Sequence, residues 1–167
     1  MKKAQQICIE MLTQREYDII DNEGDKLIAL KPDGNQIIVF FSTSSKFNVK
    51  NIQVYIALMN EMEIFHSIIV YKEDITSFTK KAIEQSLEMK FELFSEEDLQ
   101  YNITKHKFQP QFHKLSLEET EEIKNKYGTS FPIIRKDDPI SRFYDYQKGD
   151  IIKIIRNNNY ISYRIVK

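Results

Sequence analysis

The side chains best equipped for chemistry are few: one cysteine, Cys8, three histidines, His66, His106 and His113, and two short groupings, Pro32-Asp33 and Glu88-Met89-Lys90. Carboxylates and a lysine gathered at neighbouring strand ends can hold Mg²⁺ and cleave a phosphodiester, the chemistry a Pro-Asp step and a Glu-X-Lys step would serve together. The spacing argues against it. Asp33 falls in a hairpin turn, and Glu88 and Lys90 fall in a helical pattern, where residues two apart point in different directions. The strand that should carry the second element, "QIIVFF", has no acid or lysine. We therefore expect no catalytic residue and no metal site. The histidines form no His-Glu-X-X-His pair or Cys/His cluster, the spacing by which zinc is held. They read as satisfied surface or core residues. Gly-rich phosphate loops and a Gly-X-Ser-X-Gly turn are also missing, so no cofactor and no acyl-transfer chemistry is implied.

A different constellation closes the chain: "KIIRNNNYISYRIVK" interleaves Lys153, Arg156 and Arg164 with Tyr160 and Tyr163. Bases of single-stranded nucleic acid stack on tyrosines beside phosphate-neutralising cations. A hairpin that buries one face and solvates the other explains the same pattern. So does a hairpin edge whose isoleucines and arginines dock on a large protein. Composition leaves the three open.

The elements that must position these residues follow from periodicity. Ala4, Ile7, Cys8, Met11 and Leu12 recur at helical spacing, predicting an amphipathic helix that ends before "DNEGD" and places Cys8 on its buried stripe. "KLIAL", "KPDGN" and "QIIVFF" read as strand, turn and strand, with Asp33-Gly34 supplying the positive φ angles of a tight hairpin. A helix over "VKNIQVYIALMNEM" followed by "HSIIVY" implies a parallel crossover. "ITSFTKKAIEQSLEMKFELF" predicts a helix capped at Thr76 or Ser77 and running through Ala82, Ile83 and Leu87. Ser95 with Asp98, and Ser116 with Glu119, form capping boxes. Gly128 stops the second of these helices, "FPIIR" is a short strand, and Asp138 and Pro139 start a brief helix through Tyr144. "IIKIIR" and "YISYRIV" form a terminal hairpin joined by "NNN". The expected fold is an α/β layer over residues 1–102 and a small α+β unit over 103–167.

The totals bound the class. A chain of 167 residues, 41% hydrophobic and 29% charged, has the composition of a folded globular protein. Its net charge of −1 supplies no global field for nucleic acid. From Pro132 onward, however, Arg135, Lys136, Arg142, Lys148, Lys153, Arg156, Arg164 and Lys167 face only Asp137, Asp138, Asp145 and Asp150. One cysteine excludes an internal disulfide and suits a reducing compartment. No stretch approaches the ~20 apolar residues of a membrane span, so an intracellular protein without a membrane partner is expected.

"FPIIRKDDPISRFYDYQKGDIIKIIRNNNYISYRIVK" resembles the C-terminal assembly domain of the fifth subunit of eukaryotic RNA polymerases, a family that includes an archaeal counterpart. The matching elements are Pro132, Asp138-Pro139, Lys148-Gly149, Ile154-Ile155-Arg156 and Tyr163-Arg164. The likeness extends upstream through "NITKH", "VKNIQVY", "VFF" and Met11, Arg15 and Tyr17, and so spans nearly the whole chain. It implies a non-catalytic polymerase subunit with two parts. One is an α/β jaw domain, whose fold is similar to a nuclease without its active site and which reaches towards downstream duplex DNA. The other is an α+β domain that docks on the largest subunit and joins the polymerase core. The interface residues so implied are Asp138, Pro139, Arg142, Gly149, Lys153, Ile155, Arg156, Tyr163 and Arg164. Thr76 and Lys80 match a helix start that lies near the DNA in the family, whereas Ser77 stands where the family has proline; a contact there would reach backbone phosphate through Lys80 and the helix N-terminus. Asp145 stands where the family has glycine. The trimmed chain, rich in Lys, Ile and Asn, is similar to a subunit encoded by a large DNA virus, placing it in a cytoplasmic viral factory or virion; a cellular version would lie in the nucleus. The rival is a free-standing nucleic-acid-binding regulator that reuses the fold.

Overall fold

The computed structural model describes residues 1–44, 47–73, 75–86 and 88–167. The chain divides into two compact units, Met1–Tyr101 and Asn102–Lys167. The first holds α1 (Lys2–Gln14), β1 (Asp18–Glu23), β2 (Lys26–Leu30), β3 (Gln36–Phe41), α2 (Val49–Glu61), β4 (His66–Tyr71), α3 (Ser77–Glu84) and β5 (Lys90–Ser95). Its sheet runs β1-β2-β3-β4-β5. The first two pairings are antiparallel, and β3, β4 and β5 are parallel. Ile28, Ile38, Phe40 and Ile69 pack on one side against Ile52 and Met59 of α2 and Ile83 of α3. Alternate residues, among them Leu27, Ile37, Val39, Ile68 and Val70, are equally buried on the side that α1 covers. Coverage on both sides is why "QIIVFF" and "HSIIVY" are continuous apolar runs.

Three expectations are corrected. The first helix ends before "DNEGD" as expected, but already at Gln14, because Glu16 takes φ 66°, and the residues after it form an edge strand, β1, that was not expected. That strand is polar and carries a register irregularity between Ile19 and Asp21, so it lacks the alternation that announces a strand. The third helix ends at Glu84, not beyond; Leu87 lies outside the described residues. Lys90 instead opens β5, where Phe91 and Leu93 alternate towards the α2–α3 core. The Ser95–Asp98 box forms, with both reciprocal bonds at 3.1 Å, but residues 96–99 are turns and not a helix.

The second unit holds β6 (Gln111–Lys114), α4 (Leu117–Tyr127), β7 (Ile133–Ile134), α5 (Pro139–Tyr144), β8 (Ile151–Ile155) and β9 (Ile161–Val166), in the sheet order β6-β8-β9-β7. The polar strand β6 gave no sequence signal and exists through its pairing with β8. Among the described residues no helix is long and apolar enough to cross a membrane.

Candidate docking surface

In an antiparallel sheet, directly opposed residues share a face, so the register of the second unit sorts its side chains. Phe112 opposes Ile154, Ile154 opposes Ser162, and Ile152 opposes Arg164. On this face Ile152, Ile154, Val166 and Ile134 pack with Ile140 of α5 and with Tyr146 to form the core. The opposite face carries Lys153 opposed to Tyr163, Ile155 to Ile161, and Ile165, which aligns with Ile133 of β7. It is closed at Ile151, which is 1% exposed, and open towards the hairpin end. At the hairpin end Ile161 keeps 45% of its surface in water, and at the far end of β9, beside Ile165, Ile133 on the edge strand β7 keeps 49%. The Tyr127 ring of α4 reaches this face, 5.9 Å from the ring of Tyr163.

The residues that the family resemblance marks as an interface are divided by this geometry. Lys153, Ile155 and Tyr163 share the open face. Pro139 and Arg142 belong to α5, which packs on the core face, and Asp138 caps it. Asp138 Oδ1 accepts from the backbone N–H of Ile140 at 2.9 Å, and Pro139 takes the first helical position, so both have a local architectural role. Gly149 has φ 96°, and its N–H donates to the Val166 carbonyl at 2.9 Å, which ties the turn before β8 to the end of β9. Arg156 is exposed at the hairpin turn. Arg164 donates from Nη1 to the Ile133 carbonyl at 3.3 Å, clamping β7 to the sheet. Sequence reasoning missed Ile133, Ile161 and Ile165. The period-two pattern of "ISYRIV" pointed to them, but their face emerges only when β7 pairs parallel to β9.

In the first unit, Thr76 caps α3: its Oγ accepts from the Thr79 N–H at 3.2 Å, and Lys80 lies exposed in the first turn. The two nuclease-like groupings do not assemble. Asp33 spends both oxygens on Asn35, accepting from its backbone N–H at 3.0 Å and its Nδ2 at 2.8 Å. Those bonds lower its pKa below the usual carboxylate value. The turn residues Gly34 and Asn35 and the strand residue Lys90 line one cleft of about 370 Å³, whose lining includes neither Asp33 nor Glu88.

The first unit does contain one dense ionic cluster that the sequence did not announce. Arg15, which ends α1, donates from Nη1 and Nη2 to the two oxygens of Glu92 on β5, both at 2.8 Å. His66 Nε2, on β4, lies 2.8 Å from Glu92 Oε1. Burial pushes the Glu92 carboxyl up, but the Arg15 charge and the hydrogen bonds from His66 and Arg15 outweigh it and hold the pKa at about 2. Cys8 is fully buried, and burial pushes its thiol up to about 12 despite the Arg15 charge. A thiol held protonated is a poor nucleophile, so this cluster ties α1 to the sheet and leaves Cys8 a small apolar filler.

A family model described as RNA polymerase Rpb5, C-terminal domain, matches residues 101–166. Upstream of that stretch the likeness continues: a putative DNA-directed RNA polymerase subunit of Invertebrate iridescent virus 6 is 36% identical and aligns with 99% of this chain and 98% of its own length. The chain belongs to the RNA polymerase Rpb5 family. The subunit rpabc1 of DNA-directed RNA polymerases I, II and III from Dictyostelium discoideum is 30% identical over 94% of this chain and 92% of its own. RPABC1 of Caenorhabditis elegans is 32% identical over 79% of this chain. In Rpb5 terms, the open sheet face and the α5 cap both lie within the stretch that the C-terminal family model matches.

Proposed function

We propose that this chain serves as the Rpb5-type subunit of a multisubunit DNA-directed RNA polymerase, contributing assembly and positioning and no catalysis of its own. The Asn102–Lys167 unit docks on the largest subunit through the open face of its sheet. Ile133, Ile155, Ile161, Ile165 and Tyr163 supply the apolar centre, with Lys153 and Arg156 at its rim. The observation that carries this reading is the exposure of Ile133 and Ile161 on one sheet face. Full burial of an isoleucine contributes about 1.5–3 kcal/mol, and an apolar patch with a basic margin has the anatomy of a protein interface. Arg142 and Arg164, with Asp138, Pro139 and Gly149, support that face from behind by shaping α5, the turn and β7.

The Met1–Tyr101 unit lies near downstream duplex DNA, where Thr76, the α3 N-terminus and Lys80 touch backbone phosphate without reading bases. The protein acts inside the cell with its polymerase. The coverage of the iridescent virus relative favours a viral enzyme, working in the cytoplasm or carried in the virion.

The test is co-expression with the polymerase. The double variant Ile133→Glu with Ile161→Glu should stay folded by amide NMR, because about half of each residue's surface is already in water, and should lose incorporation at least tenfold. Lys153→Glu with Arg156→Glu, in parallel, separates rim charge from the apolar centre, and Arg142→Glu tests the support from α5. Normal incorporation of a folded Ile133→Glu/Ile161→Glu variant would place the interface elsewhere.

A further inference from the structure

The helix α4 does not fit the rest of the second unit. It is 11 residues long and contains no buried residue. Only Thr120 and Ile123 are even half-buried. Leu117 stands 86% exposed and Tyr127 57%. An isolated helix below about 12–15 residues is marginal in water, so α4 depends on its ends. Ser116 and Glu119 exchange bonds at 2.8 and 3.1 Å at the start. At the far end the Gly128 N–H donates to the Lys124 carbonyl at 2.8 Å, and Tyr127 leans on Tyr163. Thr120, Ile123 and Tyr127 define the inward side, so Glu118, Glu121 and Glu122 project outward with Asn125. Leu117 and Glu121, four apart, stand together on one flank.

We infer that the outward side of α4 is a second docking surface, and that its partner is a basic, apolar protein segment elsewhere in the polymerase. Charge complementarity selects that occupant. Three carboxylates on one exposed helical side repel nucleic-acid phosphate and anionic membrane alike, and they attract lysine and arginine. Leu117 is an apolar anchor that only a protein pocket satisfies. A segment that adds contacts along α4 also supplies the packing the helix lacks, so α4 is held firmly in the assembled enzyme and frays in the free chain. This surface uses none of the residues of the sheet-face interface, and its failure is separable from a failure there.

The experiment uses the full chain in the assembled polymerase. Glu118→Gln, Glu121→Gln and Glu122→Gln together keep helix-forming side chains and remove only charge. Three exposed pairs at about 0.2–1 kcal/mol each predict a disadvantage of about tenfold in competitive incorporation at low salt, narrowing towards parity at high salt, where screening is strong. A photo-reactive phenylalanine analogue in place of Leu117 should cross-link to a lysine- or arginine-bearing segment of another subunit. Amides of residues 117–127 should exchange quickly in the free chain and slowly in the enzyme. Equal incorporation of the triple variant at low salt, a cross-link to an acidic segment or to nucleic acid, or exchange unaltered by assembly would each overturn the assignment.

Discussion

Replacing Arg15 by Met should be among the most damaging single changes in the first unit, although Arg15 lies at a helix end. Its side chain is 3% exposed and that of Glu92 11%, so both charges have left water and depend on each other. Removing one partner of such a pair costs about 3–5 kcal/mol, because the other remains buried and uncompensated. The carboxyl points the same way. It is held at about 2 against an ordinary 4.5, and at ~1.4 kcal/mol per pH unit that interval corresponds to about 3.5 kcal/mol, supplied by Arg15 together with His66. A depressed carboxyl stabilises the fold fully above its unfolded pKa and loses that contribution as pH falls through the folded one. The gap between the native chain and Arg15→Met should therefore be complete at pH 6 and shrink from about pH 4.5 down to pH 2. Urea unfolding followed by amide signals of Ile68 for the first unit and Ile152 for the second isolates the relevant transition. Arg15→Met combined with Glu92→Leu should recover most of the loss, since an apolar pair of similar volume is often as stable as a buried ion pair. A cost below about 1 kcal/mol at pH 6, or a gap that does not change between pH 6 and 2.5, would refute the reasoning.

Two further outcomes follow from local geometry. Glu16 and Glu63 hold φ of 66° and 55° just past the ends of α1 and α2, a left-handed conformation that costs an ordinary residue about 1–2 kcal/mol. Both side chains are exposed, so Glu16→Gly and Glu63→Gly should each raise the urea midpoint of the first unit by an amount equivalent to about 0.5–1 kcal/mol after the entropy of glycine is counted. Lys80→Glu should leave incorporation and folding intact and lower the salt concentration at which the assembled polymerase releases downstream DNA; an unchanged salt profile would remove Lys80 from the DNA contact.

The elements that were legible in the sequence are those whose information is local. The hairpin around Asp33-Gly34, the capping boxes at Ser95 and Ser116, the Pro139 helix start and the parallel crossover into β4 each announce themselves within a few residues, and the structure has them, except that the hairpin link is a five-residue loop, Lys31 to Asn35, in which only Gly34 and not Asp33 takes positive φ. Asp145 is a similar case: the position that departs from glycine does sit at φ 55° and ψ 41°. The elements that escaped are edge strands, β1, β5 and β6, each with one pairing neighbour; β1 and β6 have little apolar alternation, and β5 follows α3 so closely that its first residues fit the helical pattern. The Arg15–Glu92–His66 cluster escaped for a stronger reason. Its members lie on α1, β5 and β4, and only the closing of the sheet brings them within hydrogen-bonding distance. The open face of the second unit was half legible, because the sequence shows which residues of β9 alternate but not that β7 extends the same face.

The same burial argument bears on why the nuclease-like groupings remain disconnected. A phosphodiester-cleaving site on this frame would need a carboxylate and a lysine on β3, next to the turn that holds Asp33. Every residue of β3 from Ile37 to Phe41 is at most 3% exposed, with α1 covering one side of the sheet and α2 and α3 the other. A charge placed there would be unpaired in an apolar layer, at a cost of several kcal/mol, comparable with the whole stability of a small domain. The strand that would carry the chemistry is the strand that joins the two cores. The residues of β3 from Ile37 to Phe41 pack both sides of the sheet, and none of them is a carboxylate or a lysine.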